Sequence, residues 1–282
     1  MVALREIHVD IIKDKVAQMC IDACINVACD IRAFMEVAQP LQNGSSGLVL
    51  EKMLKNQDIA RDERLPICQD TGMVVAFVRI GQDVRIVGGG LADAIHAGVK
   101  KGYDDGNLRK SVVGDPLTRI NTGDNTPAII HYDVVPGDEL KITISPKGFG
   151  SENMSRLRML VPADGILGIK NFVLETVQLA HSNACPPIIV GIGIGGDFEL
   201  SAIMAKKALL RTLNEPNPDP AWAKIEQEIL KSVNKLGVGP AGLGGSLTAM
   251  AVHINTYATH IAGLPVAVNL GCHVNRHEEV SL

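Results

Sequence analysis

Aromatic residues make up only 3% of the sequence, with a single tryptophan, Trp222. Stacking platforms for single-stranded nucleic acid and large anchors for an aromatic-rich interface are therefore scarce. A cationic excess is missing too: 27 Lys and Arg stand against 31 Asp and Glu, a formal net charge of -4. That balance argues against nucleic acid or an anionic membrane as the main partner. No apolar run of signal-peptide length opens the chain, because Arg5 and Glu6 interrupt it. The six cysteines include no C-x-x-C pair and lack the density of a disulfide scaffold. They read as thiols in a reducing cytoplasm. Charge is absent from one long stretch, the 40 residues from Leu236 to Asn275. The stretch exceeds one membrane span, but Gly237, Gly239, Pro240, Gly242 and Pro265 break any helix there. His253, Asn255, His260 and Asn269 would also be costly in lipid. It reads as buried core, or as a surface covered by another protein.

What is present suits a globular chain. Hydrophobic residues reach 46% of 282, enough for a sizeable core. Apolar spacing predicts a helix over 10–38 on a stripe of Ile11, Val16, Met19, Ala23 and Val27, and further helices over 48–62, 91–101, 164–181, 197–213 and 221–235. Strands are expected at 73–80 and 83–87, paired around Gly81-Gln82, and at 187–194, 248–255 and 266–270. Those at 128–135 and 139–145 read as a hairpin across Pro136-Gly137-Asp138. A long polar loop, 102–125, has the size of a functional segment. The expected fold is mixed α/β, with β-sheets flanked by helices in one domain over 1–282, two lobes around the strand-rich middle being the variant reading.

The cysteines fall into two sets. Cys20, Cys24 and Cys29 lie in the first predicted helix, where small apolar packing is the expected role. Cys68, Cys185 and Cys272 each lie at an element boundary beside Gly or Pro, in Pro66-Ile67-Cys68-Gln69-Asp70-Thr71-Gly72, Asn183-Ala184-Cys185-Pro186-Pro187 and Leu270-Gly271-Cys272-His273. A thiolate on a stiff loop is well placed to hold a metal. Coincidence is the competing reading, and spacing alone leaves both open. The absence of C-x-x-C weakens structural zinc. Three thiolates from distant loops suit a [4Fe–4S] cluster with one iron left free as a Lewis acid.

The run Cys68-Gln69-Asp70-Thr71-Gly72 resembles the cluster-binding motif of the iron–sulfur (class I) fumarate hydratase and tartrate dehydratase family. Gly123-Asp124-Asn125-Thr126-Pro127-Ala128, the 147–153 run KGFGSEN, Asn183-Ala184-Cys185-Pro186-Pro187 with the glycines of 191–196, and Asn269-Leu270-Gly271-Cys272-His273 agree with it. Five ordered motifs spread the resemblance over most of the chain, and its length resembles the α subunit of the two-chain form.

The resemblance implies reversible loss of water from a 2-hydroxy dicarboxylate, fumarate/malate first and tartrate as the alternative. It implies a [4Fe–4S] cluster on Cys68, Cys185 and Cys272, and substrate contacts from Gln69, Asp70, Arg109 and Gly150. Asp70 and His260 would be catalytic, managing the proton on the departing oxygen. Arg119 competes with Arg109 for the carboxylate, and spacing does not separate them. Asp70 also fits a turn-forming residue, and His260 a core histidine; His181, His253 and His273 read as structural or supporting. A β subunit would carry the remaining groups, among them the base for the carbon-bound proton.

Two other classes compete. The runs 191–196 and 237–242 both fit G-x-G-x-x-G, but Asp197 and Glu199 would oppose a pyrophosphate in the first turn that follows. A nicotinamide dehydrogenase is accordingly disfavoured. A non-catalytic, metal-bearing assembly or regulatory protein remains, with 236–275 as its docking surface.

Overall fold

A computed structural model describes residues 4–282, and it is mixed α/β with sheets flanked by helices. Ten strands and eight α-helices follow in the order β1 (Arg5–His8), α1 (Val9–Ile25), α2 (Cys29–Ala38), α3 (Gly44–Glu63), β2 (Met73–Gly81), β3 (Val84–Val87), α4 (Leu91–Asp105), β4 (Ile129–Val135), β5 (Leu140–Lys147), α5 (Phe149–Glu152), β6 (Arg156–Leu160), α6 (Gly165–Ala180), β7 (Ile188–Gly196), α7 (Phe198–Ala208), α8 (Pro220–Asn234), β8 (Ala249–Thr259), β9 (Leu264–Gly271) and β10 (Glu278–Ser281). The chain divides into two compact units. The first comprises Met1–Val27, Gln57–Gly148 and Arg276–Leu282; the second comprises Ala28–Asn56 and Phe149–Asn275.

In the first unit a four-stranded sheet has the order β10-β5-β2-β4, and β1 pairs β3 in a separate parallel ribbon. Two expectations fail here. Strands β4 and β5 do not form a hairpin, because β2 lies between them, parallel to β4 and antiparallel to β5. Nor does β3 turn back onto β2, since its partner is β1. The continuous apolar run Val74–Val78 is buried, as a central strand requires. Helices α1 and α4 approach closely at two small residues: a Cβ on Gly98 would meet the Lys13 carbonyl at 2.7 Å, and one on Gly102 the Ala17 carbonyl at 2.6 Å. The buried stripe of α1 is Ile12, Val16, Cys20, Ala23 and Cys24, while Ile11, expected in it, is half exposed.

The predicted helix 10–38 breaks after Ile25. Asn26 is extended and its N–H closes on the Asp22 carbonyl, so a second helix restarts at Cys29. That break leaves Cys29 exposed rather than packed.

In the second unit the sheet order is β6-β9-β7-β8, with β8 parallel and β9 antiparallel to β7. Its core combines Phe172, Val173 and Val177 of α6, Ile229 and Val233 of α8, and alternate residues of β7 from Ile188 to Ile194. The intervening Gly191 and Gly193 admit α7: a Cβ on Gly193 would lie 2.0 Å from the Ser201 carbonyl. Gly193→Ala is therefore expected to cost about 3 kcal/mol in urea unfolding through overpacking against helix backbone. The same contact explains the glycine run, and the Asp197 carboxylate caps α7 by accepting from Leu200 N–H at 2.9 Å. The place a pyrophosphate would need is taken by that carboxylate.

Half of the uncharged stretch is core: β8 as far as Ile254 and β9 from Pro265 are buried. Its exposed parts include Leu243, Tyr257 near the end of β8, and Ile261 in the β8–β9 turn. Among the described residues no helix is long and apolar enough to cross a membrane.

Candidate functional site

Half of the expected site residues lie in the first unit. Between α3 and β2 the chain makes a stiff loop, anchored where Ile67 N–H donates to the Cys24 carbonyl at 2.9 Å. Cys68 is half-buried, and Asp70 N–H points at its Sγ from 3.4 Å. The Asp70 carboxylate accepts from Gly72 N–H at 3.2 Å, so Asp70 does form the turn that its alternative reading implied. Gly72 has φ +76°, and a Cβ there would lie 2.6 Å from the Lys147 backbone. A side chain at Gly148 would likewise crowd Asp70 Oδ2 at 3.0 Å. Gln69 is exposed beside the turn.

Arg109 follows α4 and is exposed, but its backbone is fixed: Thr71 Oγ1 donates to its carbonyl at 2.7 Å. Arg109 is thus one hydrogen bond from the residue after Asp70. Arg119 has φ +55° and sits in the Asp115–Arg119 turn of a separate loop closed by the Val113–Asn121 bridge.

Arg276 was not singled out from sequence. It is 5% exposed, and its Nη2 donates to the Asp70 carbonyl at 2.6 Å. Its own carbonyl accepts from Ser145 Oγ. Burial pushes the neighbouring Cys24 thiol up to about 11, with the Arg276 guanidinium opposing that rise. The available signal was position: Arg276 is the first charge after the 40-residue gap and follows Cys272 by four residues. Lys147, 5% exposed, is a second buried cation in this unit.

The second unit holds Gly150, Cys185, His260 and Cys272. Cys185 closes a tight turn in the left-handed region and is exposed. Its carbonyl accepts from His273 N–H at 3.2 Å and from the His273 ring Nδ1 at 3.1 Å. Cys272, next to His273, thus lies on the loop adjoining Cys185. Gly150 joins them: a Cβ there would find only the Asn183 carbonyl, at 3.5 Å. Glu152 secures this end, paired with Lys206 and accepting from Asn269 Nδ2 at 3.0 Å.

His260 lies elsewhere in this unit. Gly271 pairs with Ile189 at the start of β7, whereas Thr259 pairs with Gly196 at its end. Seven residues of strand place His260 roughly 20 Å from Cys272. Its Nδ1 accepts from Ala262 N–H at 3.2 Å, and it is exposed, which rules out the core-histidine reading.

His253 is the buried histidine. Its Nδ1–H donates to the Ala208 carbonyl at 3.1 Å, and its Nε2 is buried without a partner among the described residues. Burial, aided by the Arg211 charge, lowers its pKa to about 4. A folded value below the usual 6.5 means the unfolded chain binds the proton more readily. Stability should therefore fall as pH drops from 7 to 4, by on the order of 3 kcal/mol from this group. The measurement is denaturant unfolding against pH, in which His253→Gln should flatten that slope.

The donor set can be tested against an iron–sulfur cluster on its own chemistry. Cys68, Cys185 and Cys272 lie on loops outside any disulfide and all reach solvent, whereas Cys20 and Cys24 are sealed in core with their thiols pushed up by burial. Accessible loop thiols, one with an N–H directed at sulfur, fit cluster ligation; buried neutral thiols do not. Cys68 belongs to one unit and the other two to the second, and within either unit no three His, Cys, Asp or Glu gather as a metal site among the described residues.

Comparison with known proteins agrees with the motifs. The fumarate hydratase (Fumerase) family model matches residues 13–281. A putative L(+)-tartrate dehydratase subunit alpha of Methanocaldococcus jannaschii is 42% identical over 277 residues, covering 94% of this chain and 95% of the relative. The L(+)-tartrate dehydratase subunit alpha of Escherichia coli UTI89 is 34% identical over 233 residues, covering 81% and 76%. Matches of this extent define a chain of the hydro-lyase class. It belongs to the fumarate hydratase family.

Proposed function

We propose that this chain is the cluster-bearing α subunit of a two-chain hydro-lyase that adds water to, or removes it from, a four-carbon dicarboxylate. The observation that carries the reading is the hydrogen bond joining the Cys68–Gly72 turn to the Arg109 backbone, which would hold a metal-ligand loop beside a carboxylate-binding cation. Cys68, Cys185 and Cys272 would each ligate one iron of a [4Fe–4S] cluster. A cluster held by these three cysteines would supply Lewis-acid assistance to loss of the hydroxyl.

The chain's own residues do the rest of their share. Arg109 grips one carboxylate through a planar, bidentate pair of N–H groups. Backbone N–H groups around Gly150 serve the other, and Gln69 orients the hydroxyl-bearing carbon. The Asp70 carboxylate carries the proton to the leaving oxygen, from the turn that its bond to Gly72 N–H fixes beside Cys68. The carbon-bound proton needs a base that none of these positions supplies, so a β subunit completes the site. Fumarate/malate is the substrate pair implied by the motifs. L-Tartrate is the second reading, favoured by the names of the curated relatives.

The test is anaerobic reconstitution with iron and sulfide, followed by assays on malate, fumarate and L-tartrate with and without the partner chain. Turnover that appears only on mixing is expected. Full turnover by the isolated chain would contradict the split site. A colourless chain indifferent to diacids would support the assembly-protein reading instead.

A further inference from the structure

We propose that Asn125 is a positioning residue for the reaction, acting through Arg109. The inference rests on Arg109 as the carboxylate-binding group. The segment from Gly106 to Ala128 has no helix or ladder to stiffen it, apart from the one bridge at Val113–Asn121. An arginine on such a segment would sample many positions unless something holds its backbone.

Asn125 supplies that hold. It is fully buried, in the left-handed region at φ +61°. Its Oδ1 accepts from Ser111 N–H at 2.7 Å, two residues from Arg109, and its Nδ2 donates to the Gly72 carbonyl at 3.1 Å, two residues from Asp70. These partners fix the orientation of the amide, since an N–H can only donate and a carbonyl only accept. Thr71 Oγ1 closes the same ring on the Arg109 carbonyl, and Tyr103 Oη donates to the Thr71 carbonyl at 2.6 Å. The Asp124 carboxylate accepts from Thr126 N–H and Oγ1, which sets the turn presenting Asn125.

A residue needed only for a left-handed turn would have no use for both ends of a buried amide. Asn125 spends them on two segments, each next to a proposed substrate contact. Losing the bridge lets the Arg109 backbone drift while leaving the guanidinium intact, and misplacement near 1 Å is enough to weaken a bidentate grip.

The experiment uses the reconstituted two-chain enzyme with Asn125→Gly, which tolerates the positive φ, and Asn125→Asp, whose carboxylate keeps the Ser111 bond but opposes the Gly72 carbonyl. Each is also made in an Arg109→Met background. KM for the diacid should rise roughly 10-fold in the single variants with kcat within about 3-fold of the parent, while iron and sulfide content stay at parent level. In the Arg109→Met background the same changes should add less than about 2-fold, because their effect runs through Arg109. A KM increase of equal size in both backgrounds, or loss of kcat and cluster together, would overturn the inference. If Arg109→Met itself leaves KM unchanged, the carboxylate-binding role fails first, and this inference falls with it.

Discussion

Replacing Cys68, Cys185 or Cys272 with serine is expected to strip the chain of its iron and abolish hydro-lyase turnover. A serine hydroxyl is far less acidic than a thiol and is a poor ligand for cluster iron, so each loss should be near complete. The converse change defines the set. Cys20 and Cys24 are buried, their thiols held neutral, and Cys29 is exposed at the start of α2. Exchanging all three for alanine should leave iron content unchanged, at a packing cost of about 2 kcal/mol in total from the two core sites. Iron and acid-labile sulfide analysis after anaerobic reconstitution reads both results. Cluster loss in the Cys20/Cys24/Cys29 variant would overturn the assignment.

Arg109→Met should raise KM for the dicarboxylate about 100-fold, the effect of removing roughly 2–3 kcal/mol of charge-assisted hydrogen bonding. Arg119→Met should change KM by less than about 2-fold. The sequence reading favours Arg109 without excluding Arg119, and the Thr71 bond to the Arg109 carbonyl supports that preference by holding its backbone beside the Asp70 turn. Steady-state kinetics on the two-chain enzyme decides the matter. An equal effect from both arginines would mean that the 113–121 loop also reaches the substrate.

The chemistry-bearing motifs were legible because short stiff turns keep their meaning locally. Cys68-Gln69-Asp70-Thr71-Gly72 carries its own geometry, an acidic turn residue followed by a glycine that must leave room for Lys147. Helices α6 and α8 were read within a residue or two from their apolar periods, with Asp219 and Pro220 marking the start of α8. What failed was non-local. Pro136-Gly137-Asp138 looks like a hairpin turn, but nothing within it reveals that β2 inserts between β4 and β5. Between His260 and Cys272 the strand Leu264–Gly271 runs along the sheet, a separation that a count of twelve residues does not reveal. Arg276, Tyr103 and Asn125 act through hydrogen bonds to backbone, a role that leaves no spacing rule in the sequence.

On the proposed reading, a cluster held by Cys68, Cys185 and Cys272 meets the substrate directly. Mössbauer spectroscopy of the chain reconstituted with ⁵⁷Fe, together with its partner, tests that most directly when malate or L-tartrate is added. The account predicts that one iron in four changes its isomer shift and quadrupole splitting on addition of the diacid while the other three hold theirs. Four irons that ignore the diacid, in a complex that turns it over, would contradict it.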